Sequence, residues 1–254
     1  APRPLRTRMT AAVITGASAG LGAEFTRQLV AAYPDIDEFW LIARRIGKLE
    51  ELAQQFPARK FVCIGLNLAD PKSFRYLSDK LAEQRPDVRV LVNNAGCGAV
   101  GYLGEEASAD LMRVVDLNVR ALTMVTQVVL PYMTRGAAIL NVSSIASFCP
   151  TPRMTVYSAS KSYVSAFTGG LADELRPKGI TATAVCPGPM KTEFFDAAND
   201  HDLFGNIPWC DPKKVAAGAI RAMKKGRVFY TPTRFYRFYR FVAKLLPMKW
   251  MIKA

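Results

Sequence analysis

Tyr157 and Lys161 stand four residues apart in the stretch YSASK, a spacing that puts both side chains on one face of a helix. A phenol, with an ordinary pKa of about 10, is too weak an acid to serve as a base at neutral pH. A neighbouring ammonium favours phenolate and lowers that pKa, so the pair could do acid–base work. Tyr-x-x-x-Lys by itself is common by chance. Three other features converge on it. Ser144 lies thirteen residues upstream at the end of a predicted strand, Asn118 sits in DLNV within a predicted helix, and NNAG (93–96) ends a further strand.

These residues need a scaffold. AAVIT (11–15), EFWLIA (38–43), KFVCIGL (60–66), VRVLV (88–92), AAILNVSS (137–144) and ITATAVCPG (180–188) are short apolar runs, with RVFYT (227–231) a seventh candidate. Helical patterns fill the intervals, among them 108–134, 156–176 and 212–225. Strands apolar on both faces, alternating with helices, predict a parallel sheet covered on both sides. The expected fold is one doubly wound α/β domain, Rossmann-like, over residues 10–231. It has about seven parallel strands, helices on both faces and a strand order that reverses beside the first strand. Ligands of such sheets gather outside the strands' carboxyl ends, where NNAG and Ser144 fall.

TGASAGLG (15–22) joins the first strand to the first helix. Gly16 suits a tight turn, Gly20 lets backbone approach a pyrophosphate, and Gly22 permits close packing of helix on strand. The helix N-terminus offers N–H groups and a positive dipole end. For the glycines alone, an ordinary βα turn is the plain alternative. The second strand ends in LIARR (41–45). Where an NAD-binding domain carries a carboxylate for the ribose hydroxyls, this chain has Ala43 followed by Arg44 and Arg45. That arginine fork suits a 2′-phosphate, so NADP(H) is expected over NAD(H).

TGASAGLG, NNAG, Asn118, Ser144, Tyr157-x-x-x-Lys161 and the PG of CPGPMKT (186–192) occur together in order. Through them the chain resembles the short-chain dehydrogenase/reductase family from about residue 10 to residue 231. The resemblance implies hydride transfer between a nicotinamide and a carbonyl or secondary alcohol. It makes Tyr157 the proton donor or acceptor and Ser144 the hydrogen-bond partner of the substrate oxygen. The thirteen-residue spacing to Tyr157 favours Ser144 over Ser143. Lys161 would bind the nicotinamide ribose and depress the Tyr157 pKa, Asn118 would hold a water linking Lys161 to solvent, and Thr192 would meet the carboxamide. Ser18, Leu21, Asn67, Leu68, Asn93, Ala95, Gly96, Pro187 and Gly188 would complete the cofactor site. Asn67 stands where the family usually has Asp, yet Asn can still accept a hydrogen bond from the adenine amino group. Ala19 is not basic as in some NADP-preferring relatives, so the phosphate rests on Arg44 and Arg45, with Ser18 helping. Family members are mostly dimers or tetramers, which implies a homo-oligomer.

Phe148 and Met154 flank the serine and tyrosine, and Phe194, Phe195, Phe204, Ile207 and Trp209 follow the PG. Core packing explains any one of them. Together they favour a bulky apolar substrate, and within the family the resemblance leans to hydroxysteroid dehydrogenases, with long-chain 3-keto-lipid reductases as the alternative.

The chain has 254 residues, enough for one large core. Five cysteines without a C-x-x-C spacing fit a reduced, cytoplasmic protein. The single histidine, His201, cannot build a histidine metal cluster, and no apolar run approaches the ~18 residues of a membrane span. Residues 1–9 read as a disordered lead-in. The net charge of +13 is concentrated at one end, since residues 212–254 hold twelve Lys/Arg and no Asp/Glu. In TRFYRFYRFVAKLLP, Arg234, Arg237, Arg240 and Lys244 share one helical arc. Phe238, Val242, Leu245 and Leu246 lie opposite, with Phe235 and Tyr239. The segment 232–254 is therefore expected to be a basic amphipathic helix, stopped by Pro247. It could pack on its own domain or a second subunit, or lie on anionic lipid. A non-catalytic NADP sensor and a nucleic-acid arm are the competing functions. The complete Ser–Tyr–Lys set argues against the first and the near-neutral body against the second.

Overall fold

The computed structural model describes residues 8–193 and 207–252. Residues 1–7, His201, Phe194, Phe195 and Phe204 lie outside the described residues. Seven parallel strands form one sheet, β1 (Thr10–Thr15), β2 (Glu38–Ala43), β3 (Lys60–Gly65), β4 (Asp87–Asn93), β5 (Ala138–Val142), β6 (Thr181–Val185) and β7 (Phe229–Tyr230). Their order is β3-β2-β1-β4-β5-β6-β7, so the crossover reverses between β1 and β4. β1 and β2 are buried along their whole length, as expected of strands covered on both faces.

Alternation along each strand divides the core. Ile14, Phe39, Leu41 and Val92 face α1 (Gly20–Ala32), α2 (Ile46–Gln54) and α7 (Pro212–Lys224). Val13, Trp40, Ile42 and Leu91 face α3 (Lys72–Gln84), α5 (Leu122–Val129) and α6 (Thr155–Leu175). The fold class expected from the apolar runs is therefore the one observed.

Two elements differ from expectation. The predicted 108–134 helix is α4 (Ser108–Val115), a π-helical turn over Asp116–Ala121, and α5. Such bulges often mark functional positions, and this one carries Asn118. By length and hydropathy the stretch Ser108–Tyr132 could cross a membrane, but Ala121, Val125 and Val129 pack against the sheet. The seventh strand shrinks from 227–231 to Phe229–Tyr230, and Pro232, with no N–H for a ladder, bars extension at its C-terminal end.

After β7 the chain forms α8 (Arg234–Leu245) and a short α9 (Met248–Met251). The break falls before Pro247, which disfavours helix in the preceding residue. The face that docks lies between the basic arc and the apolar side. Tyr236 is 1% exposed, the Tyr239 ring lies 6.4 Å from Phe148, and the Arg240 guanidinium covers Phe229 at 4.3 Å and Phe148 at 5.5 Å. Phe238, Phe241 and Leu245 point outward, 67%, 59% and 66% exposed. Arg240 leaves the basic stripe because a guanidinium stacks on aromatic faces without losing its charge.

Candidate active site

The site is built where β1, β4 and β5 end. Thr15 closes β1, and its hydroxyl accepts the N–H groups of Asn94 (3.0 Å) and Ala95 (3.1 Å). Asn94 Nδ2 reaches back to the carbonyls of Thr15 (3.2 Å) and Gly16 (3.1 Å). The glycine turn and the NNAG turn are thereby clamped together. A Cβ on Gly22 would stand 2.1 Å from the Gly16 carbonyl oxygen, so α1 seats on the turn because residue 22 has no side chain. Gly16 itself has φ +65°. Ala19 supplies no side-chain cap to α1, which leaves first-turn N–H groups of the kind that bind phosphate. Leu21 and Leu68 are buried, so only their backbones could serve a cofactor.

The side chain of Asn93 does not face the cofactor site, so only its backbone could serve there. Its Nδ2 donates to Thr126 Oγ1 and Asn141 Oδ1, both at 2.9 Å. Strand alternation turns Asn93 toward α5 and α6 and presents Asn94 to the loop instead. The doublet in NNAG was the available signal; which asparagine faced the site was not. Thr15 and Asn94 are the positioning residues that sequence reasoning missed.

On the other side, Asn118 pins the NNAG turn from the π-helical turn. Its Oδ1 accepts the Cys97 N–H (3.0 Å), and its Nδ2 donates to the Cys97 carbonyl and to Ser160 Oγ, both at 2.9 Å. A Cβ on Gly96 would come within 2.7 Å of Asn118 Oδ1. Both side-chain donors of Asn118 are therefore committed. The side chain positions backbone, and the water-holding role implied by resemblance has no free side-chain donor.

Ser144, Tyr157 and Lys161 come together as expected. The Ser144 hydroxyl hydrogen-bonds the Tyr157 phenol and accepts the Ala146 N–H (3.2 Å). Ser143 points the other way, donating to the Lys161 carbonyl (2.9 Å) and pairing with Ser165 Oγ (2.8 Å). Lys161 Nζ lies 5.6 Å from the Tyr157 ring centre and donates to the Val142 carbonyl (2.8 Å).

The electrostatics revise one expectation. Burial pushes the Tyr157 phenol up to about 12, against a downward pull from the Ser144 hydrogen bond, with Cys97 adding to the rise. Lys161 is itself lowered to about 8 by burial, partly offset by Cys97 and Cys186. For Tyr157, desolvation outweighs the Ser144 hydrogen bond. In this state Tyr157 is a phenol at neutral pH, suited to donating a proton.

A stability consequence follows for Lys161. A buried ammonium with a depressed pKa penalises the folded state fully below about pH 8, and the penalty fades as pH rises toward the unfolded value of 10.5. Lys161→Met is expected to raise the melting temperature at pH 6–7, with the gain shrinking by pH 10. Thermal melts across that range check it; a gain independent of pH would refute it.

The side chains packed around Tyr157 are apolar. Met154, Val114 and Ala146 are buried with it, and Cys97 and Val100 pack alongside. Phe148 is partly taken by α8 through Tyr239 and Arg240. Trp209 lies under the Lys191 ammonium at 6.0 Å. Pro187 accepts the Ile145 N–H (3.0 Å), tying the PG segment to the serine turn. Thr192 then crosses to the glycine loop, where a Cβ on Gly20 would stand 3.3 Å from Thr192 Cβ. Arg45 Nη2 lies 3.4 Å from Ser18 Oγ and 2.7 Å from Glu193 Oε2. Arg44 is exposed and acts electrostatically on the Cys97 thiol. Asn67 is also exposed, its Oδ1 accepting the Ala69 N–H (3.2 Å). All five cysteines are free.

These residues fit a nicotinamide dinucleotide: an uncapped helix start over a glycine turn, a Cβ-free floor at Gly96, and a buried Ser–Tyr–Lys set beyond it. The doubly wound sheet and this site define a nicotinamide-dependent oxidoreductase. Residues 10–203 match the family model described as short chain dehydrogenase, and the chain belongs to that family. It is 35% identical over 190 residues to sulfoacetaldehyde reductase 2 of Chromohalobacter salexigens, covering 72% of this chain and 73% of that protein. It is 31% identical over 193 residues to a very-long-chain 3-oxoacyl-CoA reductase of Anas platyrhynchos, covering 72% of this chain and 60% of that one. A short-chain dehydrogenase from Sphingobium yanoikuyae, solved with NADPH, superposes with a TM-score of 0.80 at 25% identity, covering 93% of each chain.

Proposed function

We propose that this enzyme uses NADP(H) to interconvert a ketone and a secondary alcohol on a bulky hydrophobic substrate. The observation that carries it is the buried Tyr157 phenol, hydrogen-bonded to Ser144 and walled by Met154, Val114 and Ala146. The cofactor, when bound, supplies the hydride. Ser144 orients the carbonyl oxygen toward the phenol, and Tyr157 donates its proton as charge develops there. A phenol held near 12 is ready to give that proton at pH 7, which favours reduction; oxidation needs the phenolate and should gain with rising pH. Lys161, whose ammonium donates to the Val142 carbonyl, holds the nicotinamide ribose in this reading.

Arg44 and Arg45 support the NADP preference, since no carboxylate replaces Ala43 at the end of β2. For the substrate, the resemblance leaned to a steroid. The Anas platyrhynchos relative instead acts, by its name, on a very-long-chain 3-oxoacyl-CoA, and an extended apolar chain suits the same wall. We therefore place a long-chain 3-oxo lipid first and a steroid ketone second. An NADPH-oxidation screen over 3-oxoacyl thioesters, steroid ketones and short polar carbonyls tests this; turnover confined to the short polar group would overturn it.

The same proposal covers the C-terminal segment. Phe238, Phe241, Leu245, Met248 and Trp250 form an exposed apolar surface, accompanied by Arg234, Arg237, Lys244 and Lys249 without an acidic residue from 212 onward. This composition suits an anionic bilayer surface. Co-sedimentation with phosphatidylserine-containing vesicles is expected, falling sharply for Phe238→Ser/Trp250→Ser and in high salt. A second copy of the chain is the competing occupant, and sedimentation equilibrium of the lipid-free protein separates the two.

A further inference from the structure

Arg45 is offered to the cofactor's 2′-phosphate, yet it already has an anionic partner. Its Nη2 lies 2.7 Å from Glu193 Oε2 and 3.4 Å from Ser18 Oγ. The partner comes from the far side of the site, 148 residues along the chain, and it directly follows Thr192, whose side chain rests on Gly20. After the PG the chain thus crosses the glycine loop and sets a carboxylate on the arginine.

We propose that Glu193 is a specificity-determining residue, an internal competitor that holds Arg45 until a phosphate monoester displaces it. This rests on the assignment of Arg45 to the 2′-phosphate. A carboxylate and a phosphate monoester compete for the same guanidinium fork. The phosphate carries the larger charge, about −1.5 to −2 at neutral pH, so it wins the fork and repels Glu193 from it. A nucleotide with a 2′-hydroxyl offers no such charge and leaves the Arg45–Glu193 pair in place. Glu193 thereby weakens binding of the phosphorylated cofactor and leaves its competitor untouched. Both partners are well exposed, at 49% and 61%, and exposed pairs have small net worth. The effect is correspondingly modest and dependent on salt.

The test measures dissociation constants of NADPH, NADH, adenosine 2′,5′-bisphosphate and AMP for the intact chain and its Glu193→Gln, Arg45→Gln and doubly substituted forms. Glu193→Gln is expected to tighten NADPH and the bisphosphate by roughly 1.5- to 5-fold, the range that an exposed pair sets, and to leave NADH and AMP unchanged. The gain should shrink at high ionic strength and vanish on the Arg45→Gln background. Equal shifts for phosphorylated and unphosphorylated nucleotides, or none, would overturn the role of Glu193. If Arg45→Gln weakens NADPH no more than NADH, the phosphate assignment falls and the competition with it. Discrimination lost with Arg45 but unmoved by Glu193→Gln removes this inference alone.

Discussion

Tyr157→Phe is expected to lower ketone reduction by about 10²- to 10⁴-fold, the usual contribution of a positioned general acid, with NADPH affinity nearly unchanged. The substitution removes one oxygen and leaves the ring, which packs with Met154, Val114 and Ala146. Ser144 still accepts the Ala146 N–H, so its turn should persist. The lost phenol–serine hydrogen bond is worth about 1 kcal/mol of stability, and the fold should survive. Steady-state turnover and a fluorescence titration with NADPH separate the two effects. Near-wild-type turnover would mean that the proton comes from elsewhere, Ser144 or solvent. Loss of NADPH binding would mean that the ring, not the hydroxyl, matters.

The second large effect lies far from the chemistry in sequence. Tyr236 is 1% exposed, its hydroxyl donates to the Pro208 carbonyl, and its ring fills the space over Gly188, where a Cβ would stand 2.3 Å from Tyr236 Cε2. One side chain therefore joins α8 to both described flanks of the segment following the PG. Tyr236→Ala should cost about 3–5 kcal/mol, as for other buried aromatics cut to alanine, which lowers the melting temperature by roughly 6–20 °C for a domain of this size. Tyr236→Phe keeps the ring and should cost only about 1 kcal/mol. Because Gly188 leads to Thr192, the alanine variant should also weaken NADPH binding, and trypsin should cut faster at Arg234 and Arg237. An unchanged melting temperature together with unchanged proteolysis would show that α8 is not held by this contact.

Much of this site was legible in the sequence because its chemistry sits at short, fixed spacings. Tyr157 and Lys161 are one helical turn apart, Gly16, Gly20 and Gly22 occupy a single βα turn, and each apolar run became a strand. Ser143 and Ser144 could be told apart from strand alternation and the distance to Tyr157. At NNAG the resemblance pointed to Asn93, whose side chain turns inward to Thr126 and Asn141, while Asn94 takes the loop. The pKa of Tyr157 went the other way from expectation because burial, a property of the packed fold, exceeded the pull of its neighbours.

The sequence by itself determined the parallel sheet, the glycine turn and the Ser–Tyr–Lys set, since each depends on the local period of a helix, strand or turn. Only the tertiary structure decided which face of α8 docks, since periodicity sets Arg240 with the basic residues and Tyr239 with the apolar ones, and the docked surface of Tyr236, Tyr239 and Arg240 straddles that boundary. It alone set Tyr236 over Gly188 and Glu193 on Arg45, contacts between residues 48 and 148 positions apart. Such pairings follow from how the crossovers fold back over the sheet's carboxyl edge, and no local spacing encodes them.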